Sequence, residues 1–295
     1  MRALLALLFL VSMTDRASAQ PIMTAQDLLG LPQPAADETV AYGPAPQQIA
    51  ELRIPKGPGP HPVVVVIHGG CWQAPWGLDQ VRSLCAALGA EGLATWSLEY
   101  RRLGDAGGGW PGTFEDVARG ADHLRRIAKQ HSLDLERVVA VGHSAGGHLA
   151  LWLAGRHRLP RDSPLRTESP LRLRGVVSLA GIPDLRKGAE RSVCGDSIPR
   201  LLGGSPEERE DRVLLGSPAA LLPLGLPQRL VCGRLDTIVP LELASGYESA
   251  ARRAGDRVEV HVLPGVGHFE LVNPRSAAWA TVLGAVKALL AEPTR

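Results

Sequence analysis

The stretch Arg137-Val138-Val139-Ala140-Val141-Gly142-His143-Ser144-Ala145-Gly146-Gly147 decides the architecture of this chain. Arg137 to Val141 reads as a strand, with Val138-Val139-Ala140-Val141 as its apolar run. The next residues match the pattern G-x-S-x-G, and an apolar helix is expected from there to about Arg156. A serine in that place sits on a sharp strand-to-helix turn, at a helix N-terminus whose free N–H groups favour negative charge. Gly142 and Gly146 are needed because a side chain at either would collide with the neighbouring strand or helix. Ser144 is therefore the candidate nucleophile.

Working outward, the same alternation recurs. After a Pro-rich arm over 21–46, residues 48–54 read as a strand, and Val63-Val64-Val65-Val66-Ile67 as a fully buried parallel strand. Leu78, Val81, Leu84, Cys85 and Leu88 fall at helical spacing. Residues 93–100 read as a strand, and 113–130 as a helix opened by Thr113 with Asp116 as a cap. Residues 175–179, 229–232 and 258–263 read as further strands, with helices over 241–254 and 276–290. Alternating β and α over this length means a mostly parallel sheet covered by helices on both faces. Residues 182–227 break into short polar and Gly/Pro-rich pieces, expected to form a small cap insertion over the sheet's carboxyl edge. Ligands of such sheets bind at that edge.

A serine hydroxyl needs a base to take its proton. With a nucleophile elbow the partners follow in the order serine, acid, histidine. His268, in the loop after the strand over 258–263, fits the base. Asp236, in the loop after the strand over 229–232, fits the acid that would orient it. Asp184 and Asp256 are rival acids, but Asp184 precedes the cap and Asp256 precedes its strand. His143 and His148 flank the serine and are read as packing residues. Directly after the most buried strand comes His68-Gly69-Gly70-Cys71-Trp72. Backbone N–H groups of Gly70 and Cys71, beside Gly69 and with that of Ala145, are the expected donors to a developing oxyanion. The loop 104–112, with three glycines and Trp110, is expected at the rim. Trp72 and Trp110 are the candidate substrate contacts.

These motifs resemble the α/β-hydrolase branch that holds hormone-sensitive-lipase-like carboxylesterases, kynurenine formamidases and feruloyl and acetyl-xylan esterase-like proteins. His68-Gly69-Gly70-Cys71-Trp72-Gln73 is similar to the formamidase pattern His-Gly-Gly-Tyr-Trp-Gln, with Cys71 in place of tyrosine. Residues 142–150 resemble the elbow of the same branch, and the likeness extends to Tyr100-Arg101 and to Gly267-His268-Phe269-Glu270. It covers nearly all of the chain after the leader. The resemblance implies the α/β-hydrolase fold and a serine hydrolase with no cofactor and no metal. Two departures, Cys71 and an expected export signal, turn the expectation toward short-chain carboxylic esters, with an arylformamide amidase as the alternative. A non-catalytic binding protein of the same fold would be expected to lack one of serine, acid or histidine, and none is missing.

The rest of the chain limits partners and compartment. Arg2 followed by an apolar run over 3–11 and Ala17-Ser18-Ala19 has the form of a signal peptide over residues 1–19, which predicts an exported protein. The mature domain would be residues 20–295. With 32 Lys and Arg against 30 Asp and Glu and no basic run, nothing asks for nucleic acid. No later stretch is long enough to stay inserted in a membrane, so the expected partner is a small ester or amide substrate. Export makes the four cysteines relevant. Cys71 in the oxyanion loop and Cys194 in the cap stand over the same sheet edge and form the candidate disulfide. Cys85 and Cys232 lie on a helix face and in a strand, where thiols act as small apolar fillers. Four free thiols are the other outcome.

Overall fold

The computed structural model describes residues 21–292, so the expected leader over 1–19 lies outside the described residues. One eight-stranded sheet runs in the order β1-β2-β4-β3-β5-β6-β7-β8. Its strands are β1 (Glu38–Ala41), β2 (Ile49–Arg53), β3 (His61–Ile67), β4 (Ala94–Leu98), β5 (Leu133–His143), β6 (Gly175–Leu179), β7 (Gln228–Gly233) and β8 (Val258–Leu263). The two pairings that involve β2 are antiparallel, and every pairing from β4 to β8 is parallel.

The valine run of β3 shows why two helical layers form. Side chains alternate across a strand, so Val63, Val65 and Ile67 enter one core while Val64 and Val66 enter the other. The first core is covered by α3 (Gly112–Ile127), α4 (Ala145–Gly155) and α8 (Leu241–Arg253). The second is covered by α2 (Arg82–Ala90), α9 (Trp279–Ala291) and, through Leu28, by α1 (Ala25–Leu29). Both faces are buried, so the central strands carry apolar side chains at nearly every position instead of alternating with polar ones.

Three details differ from the sequence-based expectation. The Pro-rich arm over 21–46 is not irregular throughout, because it holds α1 and the edge strand β1. β1 is short and exposed, so its apolar pattern is faint. Helix α3 begins at Gly112 with Pro111 before it, and no side chain caps it. Thr113 Oγ1 instead donates to the Arg101 carbonyl oxygen and accepts from the Gly109 N–H at 3.0 Å. Asp116 is buried and receives Arg101 Nε at 2.8 Å and Gln48 Nε2 at 2.7 Å. A buried carboxylate must be paired, and that demand outweighs a cap on a helix end.

Between β6 and β7 lie α5 (Leu185–Glu190), α6 (Ser197–Leu202) and α7 (Glu210–Gly216), three helices of six or seven residues. They pack on the side of α3 and α4: Trp152 Nε1 donates to the Leu215 carbonyl at 2.9 Å, and the Trp110 N–H donates to the Leu201 carbonyl at 2.9 Å.

Candidate active site

β5 ends at His143 and α4 begins at Ala145, leaving Ser144 alone on the turn with φ 53° and ψ −119°. Such a conformation costs a non-glycine residue of order 1–3 kcal/mol and persists only where the surroundings over-determine it. The Ser144 N–H donates to the Leu179 carbonyl at 2.8 Å, which ties the turn to β6. A Cβ on Gly142 would lie 2.0 Å from the Gly146 carbonyl oxygen, and one on Gly146 would lie 2.1 Å from that of Ile67. Neither backbone can give way, so only glycine fits at these two places.

The loops after β7 and β8 bring Asp236 to His268. His268 Nδ1 lies 2.7 Å from Asp236 Oδ2, both side chains almost fully buried. The other oxygen of Asp236 accepts the N–H groups of Ile238 at 2.7 Å and Val239 at 2.9 Å. Burial by itself would raise the Asp236 carboxyl, but the hydrogen bond and charge of His268 together with those two N–H groups hold it below its ordinary range. A carboxylate there accepts from Nδ1–H, the tautomer in which Nε2 carries the free lone pair. The rival acids are used elsewhere. Asp184 caps α5, accepting from the N–H groups of Arg186 and Lys187 at 3.1 Å each. Asp256 accepts from the N–H groups of Leu224 and Gly225 at 2.7 and 2.8 Å.

His143 stands between the serine turn and His268. Its ring centre lies 4.5 Å from that of His268, and its Nε2 lies 3.1 Å from the His268 carbonyl oxygen. Burial, with the neighbouring His268 adding to it, pushes the His143 imidazole down to about 3, so at neutral pH it is uncharged and donates from Nε2. His148 is likewise pushed down to about 4 by burial, with Nε2 2.9 Å from the Gly216 carbonyl oxygen of α7.

The loop after β3 lies against the serine: a Cβ on Gly69 would meet Ser144 Cβ at 3.2 Å and His143 Nδ1 at 3.0 Å. Among the described residues, the N–H groups of Gly69, Gly70, Cys71 and Ala145 donate to no protein acceptor. Free donors beside a nucleophile are what an oxyanion would need. Several contacts hold this loop. His68 is fully buried, with Nε2 2.8 Å from Glu99 Oε1, and stacks on Tyr100 at 4.4 Å. Burial favours neutral Glu99, but His68 and Arg102 outweigh that and keep its carboxyl low. Gln73 Nε2 donates to Ser197 Oγ of α6 at 2.7 Å. Cys71 and Cys194 form a disulfide with Cα atoms 5.6 Å apart, while Cys85 and Cys232 are free and buried. Burial raises those two thiols to about 11 and about 12, so they are protonated fillers.

The two tryptophans are not placed as expected. Trp72 is fully buried and meets the His148 ring edge-on at 5.3 Å, so it offers no face to a substrate. Cys71 and Trp72 both have positive φ, and this turn sends the indole inward, where burial of so large a ring is most favourable. Trp110 packs on Phe114 at 5.3 Å and lies under the Arg212 guanidinium at 5.8 Å. It joins the cap to the sheet layer instead of standing free at a rim. Sequence reasoning missed Glu99 and Gln73. Glu99 had a readable signal, a carboxylate at the end of a strand with no other charge, on the edge where ligands bind.

Among the described residues no cluster of three or more His, Cys, Asp or Glu could hold a metal ion, and no helix is long and apolar enough to cross a membrane.

The family model described as BD-FAE matches residues 52–249 of this chain. "Probable carboxylic ester hydrolase LipM" of Mycobacterium tuberculosis is 27% identical over 240 residues, covering 79% of this chain and 55% of that protein. "Esterase LipC" of the same organism is 27% identical over 299 residues, covering 88% and 72%. The chain thus spans little more than half of the first of these relatives. Among solved structures, esterase B from Lactobacillus rhamnosis superposes with a TM-score of 0.74 at 20% identity, covering 90% of each chain. A truncated carbohydrate esterase from gut microbiota superposes with a TM-score of 0.73 at 19% identity, covering 86% of this chain and 95% of its own. At such identities the likeness establishes the fold, that of the α/β hydrolases.

Proposed function

This chain belongs to the BD-FAE family, and on that premise we propose that it is a serine hydrolase cleaving carboxylic esters of short acyl chains through an acyl-enzyme. The observation that carries the reading is the 2.7 Å bond between His268 Nδ1 and Asp236 Oδ2, with the His268 ring 4.5 Å from that of His143, the residue directly before a serine held in a strained strand-to-helix turn. The relatives named as esterases support it. In this reading Ser144 Oγ attacks the ester carbonyl carbon while His268 Nε2 takes its proton. The carbonyl π electrons move to oxygen, where the N–H groups of Gly70, Cys71 and Ala145 stabilise the charge; one such donor is worth about 3 kcal/mol. Collapse of the tetrahedral adduct breaks the bond to the alcohol oxygen, which leaves with the proton from His268. Water then attacks the acyl-enzyme, His268 takes its proton and returns it to Ser144 Oγ, and the carboxylic acid departs. Asp236 keeps the tautomer and stabilises the imidazolium throughout.

The three cap helices are too short to form a long apolar lid, which favours small acyl groups. The proposal includes export: residues 1–19 have the form of a leader, and the Cys71–Cys194 bridge suits an oxidising compartment. The test is a panel of p-nitrophenyl esters, acetylated xylan, feruloyl esters and N-formylkynurenine. Highest kcat/KM on acetate or butyrate is the expected result. Dominant turnover of palmitate or of N-formylkynurenine would overturn the reading, and mature protein that does not begin at Gln20 would overturn the leader.

A further inference from the structure

The loop that carries His268 is gripped from the far end of the chain. Glu270, nine-tenths buried, lies in the 3-10 turn Phe269–Val272 directly after His268. One oxygen of its carboxylate accepts the Gly267 N–H at 3.2 Å, and the other accepts the Met23 N–H at 2.6 Å. Gly267 immediately precedes His268, and Met23 belongs to the arm in front of α1. Ile22 closes over the same point: a Cβ on Gly267 would meet its Cγ2 at 2.4 Å. Asn273 Nδ2 donates to Met23 Sδ at 3.2 Å, and Leu28 of α1 packs in one cluster with Val266, Leu271 and Val272. No Arg, Lys or His lies within ion-pair distance of Glu270 among the described residues. Its charge is balanced by N–H donors alone, so the carboxylate is a clamp between two backbones and not half of a salt bridge.

We propose that Glu270 is a positioning residue for His268, and that the Ile22–Met23 strap is the second jaw of its clamp. The inference rests on the reading of His268 as the base. Two oxygens of one carboxylate each take a backbone N–H, and this fixes Gly267 relative to a segment anchored in the same helical layer through Leu28. The imidazole direction follows from the φ and ψ of Gly267 and His268, and a glycine there has no side chain to restrain it. Without the clamp, Asp236 on Nδ1 and His143 on the carbonyl oxygen are left to restrain His268. A misplacement of about 1 Å of a catalytic group can cost on the order of 10²-fold in rate. The strap therefore makes the N-terminal arm part of the active-site scaffold.

The test compares Glu270→Gln and Met23→Pro in the mature protein. The first substitution keeps one oxygen as acceptor and turns an N–H₂ donor toward the other N–H. The second, by placing proline on the strap, removes the backbone donor there and leaves the carboxylate intact. Each variant is assayed for kcat and KM on p-nitrophenyl butyrate, for the rate of fluorophosphonate labelling at Ser144, and for thermal unfolding. Active sites are counted by the label, so misfolded protein does not enter kcat. The expected result is a fall in kcat of about tenfold in each variant, with a matching fall in labelling rate and KM within about twofold. The double variant should be no slower than the slower single one, because both act on one unit. Wild-type kcat per labelled site in either variant overturns the proposal, whatever happens to the melting temperature, since a merely structural clamp lowers only the latter. Labelling that persists in Ser144→Ala would instead overturn the underlying reading of the site.

Discussion

His143 Nε2 stands 3.1 Å from the carbonyl oxygen of His268. The residue just before the proposed nucleophile thus holds the backbone of the proposed base, across 125 positions of sequence. His143→Ala removes that donor and opens space beside the His268 ring. Its kcat should fall about 10- to 100-fold with KM little changed, as expected for loss of orientation and not of binding. A rise in KM with kcat unchanged would show that His143 serves the substrate instead.

Ser144→Ala and His268→Ala should each remove nearly all turnover, and Asp236→Asn should cost on the order of 10⁴ in rate by presenting the wrong tautomer. Asp184→Asn should leave the rate unchanged, because Asp184 caps α5 through the N–H groups of Arg186 and Lys187. Steady-state kinetics on the four variants decides this; loss in Asp184→Asn with activity kept in Asp236→Asn reverses the assignment.

The Cys71–Cys194 bridge closes a loop across a sequence separation of 123. The chain-entropy model puts its contribution at about 5 kcal/mol, less any native strain. Cys194→Ser should lower unfolding free energy in urea by about 2 to 5 kcal/mol and weaken the proposed esterase activity, since the loop after β3 loses one of its two ties to the cap. Gln73 retains the other through Ser197. Stability within about 0.5 kcal/mol of wild type, the range of an ordinary surface change, would show that the bridge carries no energetic role.

Buried His143 and His148 sit far below the ordinary histidine value of 6.5, at about 3 and about 4. Neutral in the folded chain, both take up protons on unfolding once the pH is below 6.5. Stability is therefore full above that value and lost as pH falls toward the folded values. Near pH 5 the two sites together predict a slope of roughly 2 to 3 kcal/mol per pH unit. Asp236 and Glu99, both held low, add a further loss below their unfolded values of 3.8 and 4.5. His148→Gln should roughly halve the slope between about pH 6 and 5 in urea titrations, and an unchanged slope would count against the buried neutral state.

Short-range order in the sequence carried most of the framework. The run Val63 to Ile67, the elbow at Ser144 and the helices around them follow from local periodicity and from glycine where a Cβ would strike backbone. The loop positions of Asp236 and His268 were legible too, because each falls just after a recognisable strand. Tertiary structure decided what depends on contacts across long stretches of chain. Only the folded sheet shows that Trp72 turns inward onto His148, that Asp116 is buried to receive Arg101 rather than to cap a helix, and that Glu99 holds His68. It also joins Cys71 to Cys194 and seats Met23 on Glu270, 247 positions away. Periodicity reports which face of an element is apolar, but not which distant group will meet a buried charge or thiol. That choice is made only when the layers close and each buried polar atom must find a partner.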